Sequence, residues 1–477
     1  MNQLSKVVWQ VPKTGAMRVP IRLYANERIL PSIDEQTIEQ ARNVASMPGI
    51  VGDMLLFSDA HVGYGMPVGG TAAFDEKEGV ISPAAVGYDI GCGMRLMTTN
   101  LTVKQVRPKL KQLVDELFKA VPVGVGRKGV VDLSKRDLDS ILTGGAKWCV
   151  KNDWGWKEDL ERIEGNGFMK GADPEKVSDK ALERGREQLG TLGSGNHYLE
   201  IQLSSAKGIF NPPAAKAFGI TGGDQVVVMI HCGSRGFGHQ VCTDYAQAFV
   251  DAMPRQGISG VERDLACAYF QSQEGQDYYA AMACAANNAI ANRQVIMQSV
   301  RNVFEKVFGN DAESMKMQLT YDVAHNLAKR EKHAVDGRKQ WVIVHRKGAT
   351  RGLGPGTAEL TDAFQKTGQP VIVGGSMETG SFVCAGTKKA MEETFGSTLH
   401  GSGRTMSRTK AKEMFGGEAL AASMLQKGIL VKAASLQALA EEAGGAYKDI
   451  NDVIETMHAA GISLKVASLA PIGNIKG

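Results

Sequence analysis

Apolar and polar positions along the chain follow two different periods. Residues 1 to about 100 carry short apolar runs separated by turn residues, among them VVWQV, RVPIRLY, MLLFSD and GTAAF. Such runs predict strands joined by loops. From about 102 to 190 the period lengthens, and VKQVRPKLKQLVDELFKAV spaces its apolar residues as an amphipathic helix does. Residues 225–231 (QVVVMIH) and 340–345 (QWVIVH) are continuous apolar runs of the buried-strand type, and each ends on a histidine. Between them, 240–308 is rich in Ala, Gln and Met and predicts long helices. A further strand starts at 370 (PVIVGGSM), and 408–463 returns to helical composition. No internal repeat or Pro/Ser linker divides the chain. The pattern predicts an α/β (α+β) fold: one large domain over residues 1–477, with mixed sheets at its core and helices around them. Residues 408–463 are expected to be a helical insertion within it.

Composition narrows the function classes. Apolar residues make up 43% of 477, and 55 Lys plus Arg stand against 51 Asp plus Glu, which excludes a disordered, collagen-like or histone-like chain. No apolar run reaches membrane-spanning length and the first residues lack a signal-peptide core, so a cytoplasmic protein with no membrane partner is expected. Seven cysteines without paired spacing suit a reducing compartment, where a thiol is free for metal or catalysis.

Seven of the nine histidines lie in glycine-rich segments: His61, His197, His231, His239, His325, His345 and His400. Strand ends and Gly-rich loops are where a backbone holds reactive side chains against a ligand. FSDAHVGYGMPVGG carries Asp59 and His61 beside a Gly-x-Gly pattern that suits phosphate contact or a tight buried turn. SPAAVGYDIGCGMR sets Asp89 and Cys92 three apart, a carboxylate and thiolate pair able to hold a borderline divalent ion, though a buried structural cysteine fits the same residues. In LGTLGSGNHYLEIQ, His197 and Glu200 are three apart, but the residues between them alternate as in a strand, which argues against a helical metal motif. VVVMIHCGSRGFGHQ delivers His231 into a loop with Arg235 and His239, a metal-plus-anion combination. VIVHRKGATRG follows with Arg346, Lys347 and Arg351, three cations suited to phosphates or simply to a solvated loop. TLHGSGR places His400 before glycines, where an imidazole can act as a nucleophile on a phosphate. A P-loop, a Lys-x-Asp-Gly nucleotidyltransferase loop and His-Glu-x-x-His are all missing, which weighs against a kinase, a P-loop ATPase and a lysine-adenylating ligase.

Taken together and in this order, the segments from FSDAHVGYG to the C-terminal IKG resemble the RtcB family of RNA-splicing and repair ligases. That resemblance implies an RNA ligase joining a 3′-phosphate or 2′,3′-cyclic phosphate end to a 5′-hydroxyl end, on tRNA halves or damaged RNA. It implies GTP and two Mn²⁺ ions as cofactors and archease as a candidate partner. By the same resemblance Asp89, Cys92, His197, His231 and His325 are the metal ligands, with Cys92 shared between the ions, and His400 is the residue that becomes guanylylated. The guanylate-binding positions fall on Asn196, His197, Tyr198, Leu199, Glu200, His325, Asn326, Gly374, Gly375, Ser376, Met377, Ser381, His400, Gly401, Ser402, Gly403 and Lys476. Arg235, Lys347 and Arg404 match phosphate or RNA-end contacts. The chain departs from the family at Ser402, where alanine is usual, and in the METGSF segment around Glu378. Two other classes could use the same residues: a binuclear metal phosphohydrolase with His400 as ligand or acid, and a non-catalytic RNA-binding scaffold.

Overall fold

The computed structural model describes residues 1–477 and has two large mixed sheets. The first runs Asn2–Ser5, Val8–Val11, Ile21–Tyr24, Ile50–His61, Val68–Asp75, Arg338–Lys347, Asn326–Val335. The second runs Gln318–Ala324, Gly93–Thr102, Gln225–Cys232, Tyr198–Ser204, Ser463–Lys476, Ser381–Gly386, Pro370–Val373, with Leu430–Ala433 parallel to Ser463–Lys476. Each sheet takes strands from distant parts of the chain. The α/β expectation therefore holds. Gln225–Cys232 is buried at all eight positions, as its unbroken apolar run predicts for a strand covered on both faces.

Helix Gln273–Phe308 packs against the second sheet. Its ends are set by Ser272, whose side chain accepts from the Gly275 N–H, and by Gly309 in the left-handed conformation. At 36 residues it is about 54 Å long. No helix is long and apolar enough to cross a membrane. The predicted helical stretch 240–308 is two helices, Arg235–Arg255 and Gln273–Phe308, parted after Pro254 and Gly257 by the short strand Ala268–Tyr269.

Two local expectations need correction. The first hundred residues are not all extended, because Glu35–Ala45 is a helix capped by the Asp34 carboxylate, which accepts from the Thr37 N–H at 2.7 Å. Residues 408–463 are not all helical either: helices Arg408–Met414, Gly417–Gln426, Leu436–Glu441 and Ile450–Ala459 share the segment with strand Leu430–Ala433. That strand follows Gly428, whose φ of +80° ends the preceding helix.

Candidate active site

Strand register brings the predicted ligands together. Cys92 immediately precedes Gly93, which pairs with Cys232 on one side and Ala324 on the other. His231 pairs with Tyr198 and Met94, so His197 and Cys92 sit one residue beyond the ends of neighbouring strands. His325 lies at the junction after Ala324. Four strands thus end at one sheet edge and place one donor each there.

The donors form a continuous chain, buried except for the partly exposed Asp89. His197 Nε2 is 2.9 Å from Asp89 Oδ2 and 3.3 Å from Cys92 Sγ. Cys92 Sγ is 3.2 Å from His231 Nε2, which is 3.3 Å from His325 Nε2. His231 Nδ1 lies 3.1 Å from the Asn196 carbonyl, so its N–H belongs there and the Nε2 lone pair faces the cluster. His325 Nδ1 is buried with no partner. The Cys92 thiol and the His197 and His231 nitrogens lie within 4.8 Å of one another, a donor set that suits a borderline divalent cation. Burial holds His231 and His325 well below the usual imidazole range, which keeps them neutral and fit to ligate. Burial pushes the Cys92 thiol up to about 11, with Asp89 adding to it, so a bound cation would have to draw off its proton. Arg293, fully buried, donates to the Gly91 and Cys232 carbonyls at 2.8 Å each and grips Asp322 with its other nitrogens.

His400 stands at the end of this chain, its ring 4.7 Å from that of His325. It follows strand Ser397–Leu399, which pairs with Ala349–Arg351. His400 Nδ1 is 2.7 Å from Asp59 Oδ2, and the same oxygen accepts from the His400 and Gly401 backbone N–H groups. Burial works against charge on Asp59, yet these three bonds hold its carboxyl below the usual range. The tautomer that donates Nδ1–H to Asp59 has its lone pair on Nε2. Gly403 must be glycine, since its φ is +73° and a Cβ would collide with the Asp59 carbonyl. Lys448 holds the other side of this strand: its ammonium donates to the Ser58 and Ala60 carbonyls at 3.2 and 2.6 Å, where the ladder to Val68–Asp75 lapses.

A pocket of 280 Å³ opens between the metal-type cluster and His400. Asp89, Cys92, Asn196, Tyr198, His231, His325, Asn326, Lys347, Gly374, Gly375, Ser376, Met377, His400, Gly401, Ser402, Gly403, Arg404 and Lys476 line it. The Gly374 and His400 loops are zipped, Ser402 N–H donating to the Gly374 carbonyl at 3.1 Å. Asn326 donates to the Asp89 carbonyl and accepts from the Gly348 N–H, tying the two halves. The Ser402 hydroxyl is buried without a partner.

A family model described as tRNA-splicing ligase RtcB matches residues 40–477. The chain belongs to the RtcB family. The tRNA-splicing ligases RtcB of Thermococcus kodakarensis and Archaeoglobus fulgidus are 51% and 50% identical to it, and that of Nanoarchaeum equitans 45%; each alignment covers 100% of this chain and 99% of the relative.

Several residues given by the RtcB resemblance lie outside the pocket. Leu199 alternates to the opposite face of its strand and packs into the core. Glu200 and Ser381 are buried beneath the pocket, bridged by Gln202, and burial lifts Glu200 to about 7. His197 and Arg235 line an adjoining groove, where an Arg235 nitrogen lies 2.8 Å from His197 Nδ1. Arg404 is already committed to Glu442, Tyr447 and two carbonyls. The three-cation loop expected after His345 is mostly strand: Arg346 pairs with Glu331 and Arg351 with Glu164, both buried, and only Lys347 reaches the pocket. His345 accepts from the Ser82 N–H away from the site. Sequence reasoning missed Glu442, Tyr447 and Lys448, which come from a segment whose composition signals only helix. It singled out Asp59 without giving it a role, and a carboxylate four residues before Gly63 gave no hint of its partner 341 residues away.

Proposed function

We propose that this RNA ligase of the RtcB family works through GTP-dependent guanylylation of His400, joining RNA 3′-phosphate or 2′,3′-cyclic phosphate ends to 5′-hydroxyl ends in tRNA splicing or RNA repair. The observation that carries the reading is the His400 Nδ1 to Asp59 Oδ2 bond at 2.7 Å, which leaves Nε2 available as the nucleophile beside the Cys/His cluster.

In the first step His400 Nε2 attacks the α-phosphorus of GTP; a P–N bond forms, the α–β phosphoanhydride bond breaks and pyrophosphate leaves. Asp59 balances the positive charge that develops on the imidazole, in the manner of a carboxylate behind a catalytic histidine. Next an oxygen of the RNA 3′-phosphate attacks the same phosphorus. The P–N bond breaks, the ring recovers its lone pair, and the RNA carries a 3′-pyrophosphate-linked guanosine. The 5′-hydroxyl of the second strand then attacks the RNA phosphorus, and GMP departs as the phosphodiester forms. Asp89, Cys92, His197, His231 and His325 would hold two Mn²⁺ ions, which when bound neutralise phosphate charge and activate an oxygen nucleophile, as needed to open a cyclic phosphate. Lys347 and Arg235 supply cations for the phosphates. Lys476, Tyr198 and Tyr447 also line the pocket and offer a cation and aromatic rings to a guanine base.

The test is incubation with Mn²⁺ and α-labelled GTP. An acid-labile, alkali-stable adduct is expected in the wild-type chain and none in His400→Ala. Persistent labelling of His400→Ala sinks the assignment of the nucleophile, and phosphate release without GTP favours a hydrolase.

A further inference from the structure

The first glycine-rich motif, GYG at 63–65, has no part in the chemistry above. Its tyrosine is one of three aromatic side chains that are strongly exposed: Tyr64 at 41%, Phe210 at 47% and Trp341 at 40%. Trp341 lies under the Arg330 guanidinium at 3.9 Å, and Phe210 against Phe382 and Lys465. Tyr64 instead packs beside Tyr88, which lines the His400 pocket. Its ring is 5.4 Å from Tyr88, and Tyr88 is 5.9 Å from His239, at tilts of 45° and 32°. Tyr88 borders both the pocket and the adjoining groove, 530 Å³ in volume, that holds Arg235 and Arg408.

The turn that displays Tyr64 is rigid. The Gln40 side chain donates to the Gly63 carbonyl at 2.6 Å and accepts from the Gly63 N–H at 3.0 Å. Lys347 donates from its ammonium to the Tyr64 carbonyl. Gly65 has φ +68°, and a Cβ there would sit 2.5 Å from the Asp264 carbonyl. The 41% of Tyr64 left exposed is an aromatic surface that the fold itself does not cover. Aromatic rings beside phosphate-binding cations are the recurring means of holding single-stranded nucleic acid without reading sequence, because every base has a stacking face.

We propose that Tyr64, Tyr88 and His239 are a stacking platform for the unpaired bases next to an RNA end, with Lys347 and Arg235 meeting the adjoining phosphates. The inference rests on RNA being the substrate, and it does not depend on guanylylation. One platform beside one pocket would let the enzyme accept ends of any sequence.

The experiment is a fluorescence-anisotropy titration of the Mn²⁺-loaded protein, without GTP, with short labelled single-stranded RNAs bearing either a 3′-phosphate or a 5′-hydroxyl end. Tyr64→Ala should bind one of the two about 5- to 150-fold more weakly, and Tyr64→Phe should bind like wild type. The RNA affected tells which strand the platform holds. With an abasic nucleotide at the end of that RNA, wild type and Tyr64→Ala should bind alike. Equal binding of intact RNA by wild type and Tyr64→Ala overturns the proposal, as does an unchanged loss on the abasic RNA. Failure of the GTP adduct in the wild-type chain overturns the guanylylation reading and leaves this result untouched.

Discussion

Replacing Arg293 by lysine should loosen the metal-type cluster far more than burial alone predicts. The Arg293 guanidinium makes four bonds, two to Asp322 at 2.7 and 2.9 Å and one each to the Gly91 and Cys232 carbonyls at 2.8 Å. Those carbonyls belong to the residues just before Cys92 and just after His231, so one planar group fixes the spacing of two ligands from behind. A lysine ammonium can keep Asp322 but cannot also span two carbonyls held in a flat fork. Each buried carbonyl left without a donor costs about 1–3 kcal/mol, and Arg293→Lys should lower the unfolding free energy by about 2–6 kcal/mol. Partners that orient a ligand from behind are worth about 10–100-fold in metal affinity, so the Mn²⁺ dissociation constant should rise by that factor. Arg301→Lys is the matched control. Arg301 is equally buried and bonds Asp159 and the Met317 carbonyl, which lies at the far end of the strand leading to His325, and bonds no residue next to a candidate ligand. Calorimetric Mn²⁺ titration of both variants, with urea unfolding beside it, separates the effects. Equal Mn²⁺ affinity in Arg293→Lys and wild type, or an equal loss in Arg301→Lys, would refute the reasoning.

Further outcomes follow from the same geometry. Cys92→Ala removes the donor between His197 and His231 and should abolish tight Mn²⁺ binding in calorimetry while the melting temperature stays within a few degrees. Lys448→Met leaves the Ser58 and Ala60 carbonyls bare beside Asp59; labelled-GTP adduct formation should slow about tenfold or more, with Mn²⁺ affinity unchanged. Burial lowers Lys347 to about 7, so its ammonium is charged below that pH and lost above it. Affinity for RNA ends should therefore fall by up to tenfold per pH unit above about 7, and Lys347→Met should flatten that profile. The same shift has a stability consequence: the unfolded lysine keeps its proton to about 10.4, so folding should gain stability as pH rises from 7 and the gain should vanish in Lys347→Met.

What the sequence could reveal depended on whether a residue's role was local. Asp89, Cys92, His197, His231 and His325 were legible because each lies at or close to a strand terminus, Cys92 and His197 just before a strand and His231 and His325 at or just after the end of one, and antiparallel pairing then carries neighbouring strand ends together. Arg346 and Arg351 misled for the complementary reason. Cations in sequence after a strand read as a loop facing phosphate, but the strand continues to Lys347, and its alternation turns Arg346 inward to Glu331 and Lys347 outward to the pocket. Asp59, Arg293 and Lys448 were illegible in a stricter sense. Each acts by reaching across the fold, Asp59 to a histidine 341 residues away and Lys448 to carbonyls on a lapsed ladder, and no spacing in one chain encodes such a contact. The candidate site residues thus sit at or near element ends, where local pattern shows them, whereas the groups that hold them in place, Asp59 inside a strand, Arg293 inside a helix and Lys448 in a loop, emerge only from packing. For this family member the consequence is that loss of function should arise as readily at Arg293 or Lys448, which carry no motif, as at His400, which carries one.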